Sequence, residues 1–245
     1  MGHNFKPVSR EPLYVKVYQA IEADILSGVL EEGAFLPTEG ELCEQLGVTR
    51  SSVREGIRSL EQAGLVTRGA AKRLVVQRPQ TQDVAAAASR GWTLGGVTFD
   101  EVWEVLATLY PHAAGLAASR SSKAGVDELF EIRNRLASYD KSEHDKIVQS
   151  SVAYFQCLTG QLNNRVLVTV LQSLNMMIGA SLRRVIAATP QAQKRIARAQ
   201  LEITEAISQR DAPTAQRWMA KHIDDLKRGY SVARVDMSAE IFRSD

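Results

Sequence analysis

The 245-residue sequence contains few cysteines, histidines and aromatic residues, and these shortages narrow the possible classes of protein. Its two cysteines, Cys43 and Cys157, lie far apart and form neither a redox CxxC pair nor a paired zinc-site spacing. They are typical of a reducing compartment, so we expect a cytoplasmic protein. Aromatic residues make up 6% of the chain, whereas alanine, leucine and valine are plentiful, and this balance favours helices.

The chain also lacks a long apolar run and a recognisable catalytic set. The longest largely uncharged apolar stretch, Val166 to Leu182, is interrupted by Thr169, Gln172, Ser173 and Asn175. It therefore predicts a buried helix rather than a membrane span, and we expect no membrane partner. The N-terminus is polar and shows no signal-peptide pattern. The four histidines lie on separate segments, and no nucleophile–histidine–acid set, glycine-rich phosphate loop or carboxylate pair stands out, which disfavours an enzyme.

Positive and negative side chains nearly balance over the whole chain, but positive charge is concentrated in one region. The formal net charge is only +2, and residues 1–78 contain ten basic and ten acidic side chains. Within residues 50–78, however, seven basic side chains stand against two acidic ones. Such a local excess of positive charge steers a protein toward a polyanion such as DNA.

The stretch from Leu36 to Val66 has the spacing of two helices joined by a tight turn. In the first helix, Leu42 and Leu46 are four residues apart and form an apolar side. Gly47 ends this helix, because glycine enters the left-handed region without steric cost. Thr49 is a favourable N-cap for the second helix. Apolar residues recur there at spacings of three and four, so one face should be buried: Val53, Ile57, Leu60 and Leu65.

The exposed side of the second helix carries groups that suit DNA. Hydroxyl and guanidinium groups cluster in its first turn and a half, which is the part of a recognition helix that enters a major groove. Arginine binds guanine bidentately, and serine or threonine contacts a base edge or a phosphate. We therefore predict DNA contacts from Thr49, Arg50, Ser51, Ser52 and Arg54. Arg58, one turn later, is placed for a backbone phosphate or an ion pair with Glu61, and is equally well interpreted as a solvated surface residue.

Two short strands are predicted after this helix, at 65–67 and 74–77, with 69–71 as the turn between them. They would form a hairpin wing with Arg68, Lys72 and Arg73 near its tip, where they could meet phosphate or the minor groove. From Val97 onward the sequence predicts six helices and no strand, with short breaks between them. Pro111 should kink the first of them.

The predicted fold is therefore mainly α, with an N-terminal winged helix-turn-helix that has a small β-hairpin wing, and a C-terminal all-α antiparallel helical bundle. The boundaries we expect are 1–78 for the DNA-binding domain, 79–96 for a linker, 97–236 for the helical effector-binding and dimerisation domain, and 237–245 for a tail.

The motif LPTEGELCEQLGVTRSSVREGIRSLEQAGLV closely resembles the N-terminal domain of GntR-family transcription factors, from about Tyr14 to Val76. Gly40 stands where that family often has an arginine. The second half resembles, more loosely, the FCD-type domain of the FadR subfamily, chiefly through AYFQCLTGQLNN and EITEAISQRDAPTAQRWMAKHID. The resemblance implies a bacterial DNA-binding regulator that dimerises and responds to a small molecule.

Many FCD domains hold a divalent metal with an aspartate, a histidine four residues later and two further histidines. The corresponding places here are Val152, Gln156, Gln200 and His222, of which only His222 is an ordinary metal ligand. We therefore predict no metal and no other cofactor, and expect Gln156, Gln200 and His222 to line a polar effector pocket. Because effectors of the subfamily are commonly small carboxylic acids, an organic acid is expected. Further inward polar candidates are Arg133, Asn175, Arg183 and Thr204.

Together these features predict a homodimeric regulator, interpreted as a repressor, that binds a palindromic operator of double-stranded DNA. Its effector would shift the population away from the DNA-competent form. Two alternatives stay open: a constitutive DNA-binding protein whose helical domain senses nothing, and, with less support, a metabolite enzyme in the helical half.

Overall fold

A computed structural model describes residues 11–69, 73–189 and 191–241. The chain divides into two compact units, Met1–Gln80 and Thr81–Asp245. We refer to them as the DNA-binding unit and the helical unit.

In the described part of the DNA-binding unit, three helices precede a two-stranded antiparallel sheet: α1 (Leu13–Leu26), α2 (Glu39–Leu46), α3 (Arg50–Gln62), β1 (Val66–Arg68) and β2 (Leu74–Val76). Val66 lies opposite Val76 in the sheet, and Phe35 adds an isolated bridge to Val75. β1 is shifted by one residue and β2 ends one residue earlier than the sequence predicts. The predicted winged helix-turn-helix is confirmed.

Local contacts define the two helices of the motif, and α3 packs on both α1 and α2. The Thr38 hydroxyl accepts a bond from the Glu41 N–H while the Glu41 carboxylate accepts one from the Thr38 N–H, so a capping box begins α2. Gly47 ends it at a φ of 63°. A Cβ on Gly56 would lie 2.7 Å from Val17 Cγ1, so this glycine lets α3 approach α1 closely.

The helical unit consists, in its described residues, of helices alone: α4 (Thr81–Leu94), α5 (Phe99–Arg120), α6 (Lys123–Ser138), α7 (His144–Gly160), α8 (Arg165–Ala188), α9 (Ala192–Ser208) and α10 (Ala212–Val232). α5 packs on α10, and α6 packs on α7 and α9, around one hydrophobic core. The predicted all-α bundle is confirmed. Pro111 lies inside α5, which continues to Arg120.

Two segments expected outside the bundle are packed onto it. Most of the predicted linker, 79–96, forms α4, which packs on α8 through the buried Ala85 and Ser89. Small side chains at those positions allow the two helices to come close. Residues 237–241 of the predicted tail pair with the start of α5, where the Asp100 N–H donates to the Met237 carbonyl at 2.9 Å.

α8 covers the stretch for which the sequence predicted a buried helix. Leu171, Leu174 and Met177 on this helix are buried in the core. Over the described residues no single helix is long and apolar enough to cross a membrane. Arg165–Gly179 and Ser181–Ala188 meet the test of length and composition only together, as a pair bent by 59°.

Candidate DNA-binding surface and effector site

The first turn of α3 is organised by the hydroxyl group of Thr49. Its Oγ1 accepts a hydrogen bond from the Ser52 N–H at 3.4 Å and lies 2.9 Å from the Ser51 hydroxyl and 3.0 Å from the Ser52 hydroxyl. Thr49, Arg50 and Ser51 are exposed. The hydroxyl of Thr49 thus caps the helix, as expected, and its neighbours present polar groups to solvent.

Arg54, predicted to read a base, is held in place by a residue of α2. Its Nε donates to Glu39 Oε2 at 2.8 Å, which ties the two helices of the motif together. The hydrogen bond to Glu39 raises the pKa of Arg54, so the guanidinium stays charged. The Arg54 side chain remains 63% exposed, and the bond uses Nε rather than the two terminal amino groups.

The ion pairs of α3 differ from the pairing that its spacing suggested. Arg58 pairs with Glu55 at 3.4 Å and not with Glu61. Glu61 pairs instead with Arg68 at 3.0 Å and so connects α3 to β1. The partner of Glu61 depends on tertiary structure, because β1 brings the guanidinium of Arg68 to the Glu61 carboxylate.

The wing contributes further positive charge beside the recognition helix. The Arg73 guanidinium lies 4.1 Å from the centroid of the exposed Phe35 ring. Arg68 is half exposed. Arg50 has no ion-pair partner in the described part of the chain. Lys72, also predicted to contact DNA, lies outside the described residues.

In the helical unit, several residues predicted to bind an effector meet around Phe155. Asn175 accepts a hydrogen bond from the Tyr110 hydroxyl at 2.8 Å through Oδ1. The Tyr110 ring packs on Phe155 at 4.6 Å, and the ring of His222 stacks on Phe155 at 5.5 Å. Tyr154 packs edge-on to Phe155. The Tyr154 hydroxyl donates to the backbone carbonyl of Gln200 at 3.1 Å and lies 2.9 Å from Thr204 Oγ1. We call this group the Phe155 cluster: Tyr110, Tyr154, Phe155, Asn175, Gln200, Thr204 and His222.

The Phe155 cluster contains buried polar atoms without partners. Both side-chain amide atoms of the fully buried Gln200, Nε2 of His222 and Nδ2 of Asn175 have no hydrogen-bond partner among the described residues. Buried polar groups are nearly always paired, so such atoms indicate a place for water or a ligand. Burial lowers the pKa of His222 to about 4, so its imidazole is neutral near pH 7.

Three predicted effector residues lie elsewhere. Gln156 is exposed and lies outside the cluster, in a groove of ≈ 400 Å³ that Gln82, Gln172 and Asn175 also line. Arg133 donates from Nε to the carbonyl of Ala197 at 3.1 Å. Arg183 pairs with Asp145 at the surface. Neither arginine that was expected to hold a carboxylate therefore belongs to the Phe155 cluster.

The arginines beside the buried histidine are two that sequence reasoning missed. Arg195 and Arg228 line a cavity of ≈ 240 Å³ together with His222, and both pair with Asp225. The i, i+3 spacing of Asp225 and Arg228 could have indicated their pairing. Nothing in the local sequence indicates that Arg195, on α9, reaches Asp225 on α10.

A winged helix-turn-helix with exposed arginines, followed by an all-helical unit with unpaired buried polar atoms, is the organisation of a ligand-responsive DNA-binding regulator. Residues 13–76 match the bacterial regulatory proteins of the gntR family, and residues 101–225 match the FCD domain.

The chain is 30% identical over 227 residues to the Glc operon transcriptional activator of Escherichia coli (strain K12), which covers 89% of each protein. It is 44% identical over 57 residues to the HTH-type transcriptional regulator GgaR of the same strain, 23% of each protein. Among solved structures, Streptococcus agalactiae GntR shares the fold with a TM-score of 0.61 at 20% identity, over 88% of this chain and 99% of that chain.

The chain therefore belongs to the gntR family of bacterial regulatory proteins and carries an FCD effector-binding domain. The resemblance seen in the sequence is confirmed. Both of these relatives are transcriptional regulators.

The divalent metal that this domain type implies does not fit the residues at its place. Val152 supplies no donor, Gln156 and Gln200 supply neutral amides, and His222 supplies the single imidazole. Over the described residues, no three His, Cys, Asp or Glu side chains lie together as metal ligands would.

Proposed function

We propose that this regulator binds a palindromic operator as a homodimer and represses transcription until a small organic acid binds its helical unit. The observation that carries the DNA-binding part is the exposed Arg54 held by Glu39 at 2.8 Å on the first turns of α3. A side chain that is already oriented loses less conformational entropy when it contacts a base.

The exposed groups divide into base readers and backbone contacts. Arg50 and Arg54 are assigned to base edges, because a guanidinium forms a bidentate contact with guanine. Ser51, Ser52 and Arg58 are assigned to the adjacent phosphates. The wing residues Arg68, Lys72 and Arg73 are assigned to phosphate or the minor groove.

Dimerisation follows from the small reach of one recognition helix. A two-fold dimer places two such helices on half-sites about one helical turn, roughly 34 Å, apart, which makes the operator palindromic. Size-exclusion chromatography with light scattering should give twice the mass of the 245-residue chain.

The effector part rests on the unpaired polar atoms inside the helical unit, which give a ligand something to bind. A ligand regulates DNA affinity only if it binds one conformation better than the other. α4 begins directly after Gln80, the last residue of the DNA-binding unit, so a change in α4 passes into that unit through the chain.

The test begins with selection of an operator from random double-stranded DNA, followed by affinity measurement by fluorescence anisotropy. Arg54→Ala should weaken operator binding at least about 30-fold, because each bidentate contact contributes about 1–3 kcal/mol and a dimer makes two. Arg78→Ala is the matched control, since Arg78 is a similarly exposed arginine of the same unit that also pairs with a glutamate, Glu32, but is not assigned to DNA. Near-normal affinity of Arg54→Ala would refute the assignment.

Repression is tested separately with a reporter placed behind the selected operator. Deletion of the regulator gene should raise expression, because a dimer bound over a promoter excludes polymerase. A fall in expression would instead mean that the regulator activates transcription, as the name of the Escherichia coli relative, Glc operon transcriptional activator, says of that protein.

A further inference from the structure

The cavity between α8, α9 and α10 has apolar walls and a charged end. Its volume is ≈ 240 Å³, below the roughly 300–1,000 Å³ of pockets that take drug-sized ligands. Five of its twelve lining residues are branched and aliphatic: Val185, Ile186, Ile196, Leu226 and Val232. This part of the cavity suits a small apolar group.

The charged end carries one positive charge in excess. Arg195 donates to Asp225 Oδ1 at 2.8 Å, and Arg228 donates to the same oxygen atom. The Asp225 side chain is only 19% exposed, whereas those of Arg195 and Arg228 are 49% and 68% exposed. One carboxylate therefore orients two guanidiniums and neutralises only one of them.

Two hydrogen-bonding atoms at this cavity have no partner in the described residues. They are Oγ1 of Thr189 and Nε2 of His222, both buried. An unpaired buried polar atom costs free energy that a ligand oxygen can recover. The cavity thus combines an apolar wall, a cationic end and unused hydrogen-bonding groups.

The surface beside the cavity is also basic. A neighbouring groove of ≈ 570 Å³ shares Arg195, Asp225 and Arg228 with the cavity and adds Lys194, Arg198 and Lys221. Arg198 pairs with Glu202, but the groove still has a clear excess of positive charge. Such a surface raises the local concentration of small anions.

We propose that this cavity binds a monocarboxylate with a short apolar tail, whose carboxylate contacts Arg195 and Arg228 and whose tail lies against the α8–α9–α10 wall. The inference rests on the proposed function of the helical unit as an effector domain. It places the anion without a metal and without Arg133 or Arg183. His222 links the cavity to the Phe155 cluster. Its ring lines the cavity and also stacks on Phe155.

The walls and the charge also decide which ligands should fail. A dicarboxylate seated in the cavity would press its second charge against aliphatic side chains, and the cations of the neighbouring groove lie at the other, charged end. An alcohol of the same length would leave the excess guanidinium charge without a counter-ion. The cavity should therefore prefer hexanoate to both succinate and hexan-1-ol.

Calorimetric titration of the full chain, without DNA, tests this preference directly. Hexanoate should bind at least about tenfold more tightly than hexan-1-ol or succinate. From propanoate to hexanoate the affinity should rise about fourfold per methylene, since each buried methylene adds apolar contact. Equal binding of hexanoate and hexan-1-ol, or no binding of any acid in the series, would overturn the proposal.

Variants locate the site. Arg195→Gln and Arg228→Gln should each weaken hexanoate binding at least about tenfold. Arg183→Gln is the matched control, an arginine on α8 that pairs with Asp145 and does not line the cavity, and it should bind as the original chain does. Loss of binding in Arg183→Gln, or its retention in both other variants, would refute the assignment. Urea unfolding of each variant separates lost binding from lost folding.

Operator affinity measured with and without hexanoate keeps the two proposals apart. Binding of hexanoate that leaves operator affinity unchanged would contradict the proposed regulation and support the cavity. Operator binding that responds to other metabolites, while hexanoate does not bind, would support the regulation and contradict the cavity.

Discussion

Replacement of Gln200 by methionine should stabilise the helical unit in the absence of ligand. Gln200 is fully buried on α9, and neither its amide nitrogen nor its amide oxygen has a partner among the described residues. Each orphaned group costs about 1–3 kcal/mol, and methionine has a similar length without a polar terminus. We expect a gain of about 2 kcal/mol, which raises the melting temperature of a unit of this size by about 4–8 °C.

Tryptophan fluorescence makes this measurement specific, because Trp92, Trp103 and Trp218 all lie after residue 80. Urea unfolding followed at this signal reports the helical unit alone. Gln156→Met, at an exposed position of α7, is the control and should change stability by less than about 0.5 kcal/mol. A Gln200→Met variant that is less stable than the original chain would show that ordered water satisfies the amide, and would refute the expectation that the amide destabilises the folded unit.

Two other predictions concern His222 and the Glu39–Arg54 pair. Burial lowers the pKa of His222 from 6.5 to about 4, so between these values the unfolded chain binds a proton that the folded chain does not. Stability should therefore fall by about 2 kcal/mol from pH 7 to pH 5, and His222→Leu should lack this part of the decline in urea unfolding. Glu39→Gln removes the partner of Arg54 and a negative charge near the DNA-binding surface. Its affinity for unrelated DNA should rise and its preference for the operator should fall by about tenfold in anisotropy measurements.

Each of these has a clear contrary outcome. An unchanged slope of stability against pH in His222→Leu would mean that other groups cause the decline. An unchanged ratio of operator to non-operator affinity in Glu39→Gln would mean that Glu39 does not position Arg54 for DNA.

The secondary structure and the fold class were readable from the sequence because their signals are local. The cap at Thr49, the left-handed position at Gly47 and the apolar spacing of α3 act within a few residues. The same holds for the second half, where the six helices predicted after Val97 correspond to α5 to α10. A short helix at Asp83–Ser89 in the linker was also expected, but its extension over Thr81–Leu94 and its packing on α8 depend on a distant partner.

The candidate DNA-binding surface was predictable in outline, because the arginines follow the spacing of one helix. The hydrogen-bond and ion-pair partners of these arginines were not predictable from the sequence. The bond between Arg54 and Glu39 joins residues 15 positions apart, and Glu61 is paired by a residue of the wing.

The sequence by itself determined that the chain begins with a winged helix-turn-helix and continues as a helical bundle, since periodicity and capping are properties of neighbouring residues. Only the tertiary structure decided which side chains meet. It stacked His222 on Phe155 and brought Gln200 to the hydroxyl of Tyr154. It also left Arg183 at the surface and brought Arg195 from α9 to Asp225 on α10. Contacts between helices depend on which faces pack together, and this choice is made by the whole core rather than by the residues around any one site.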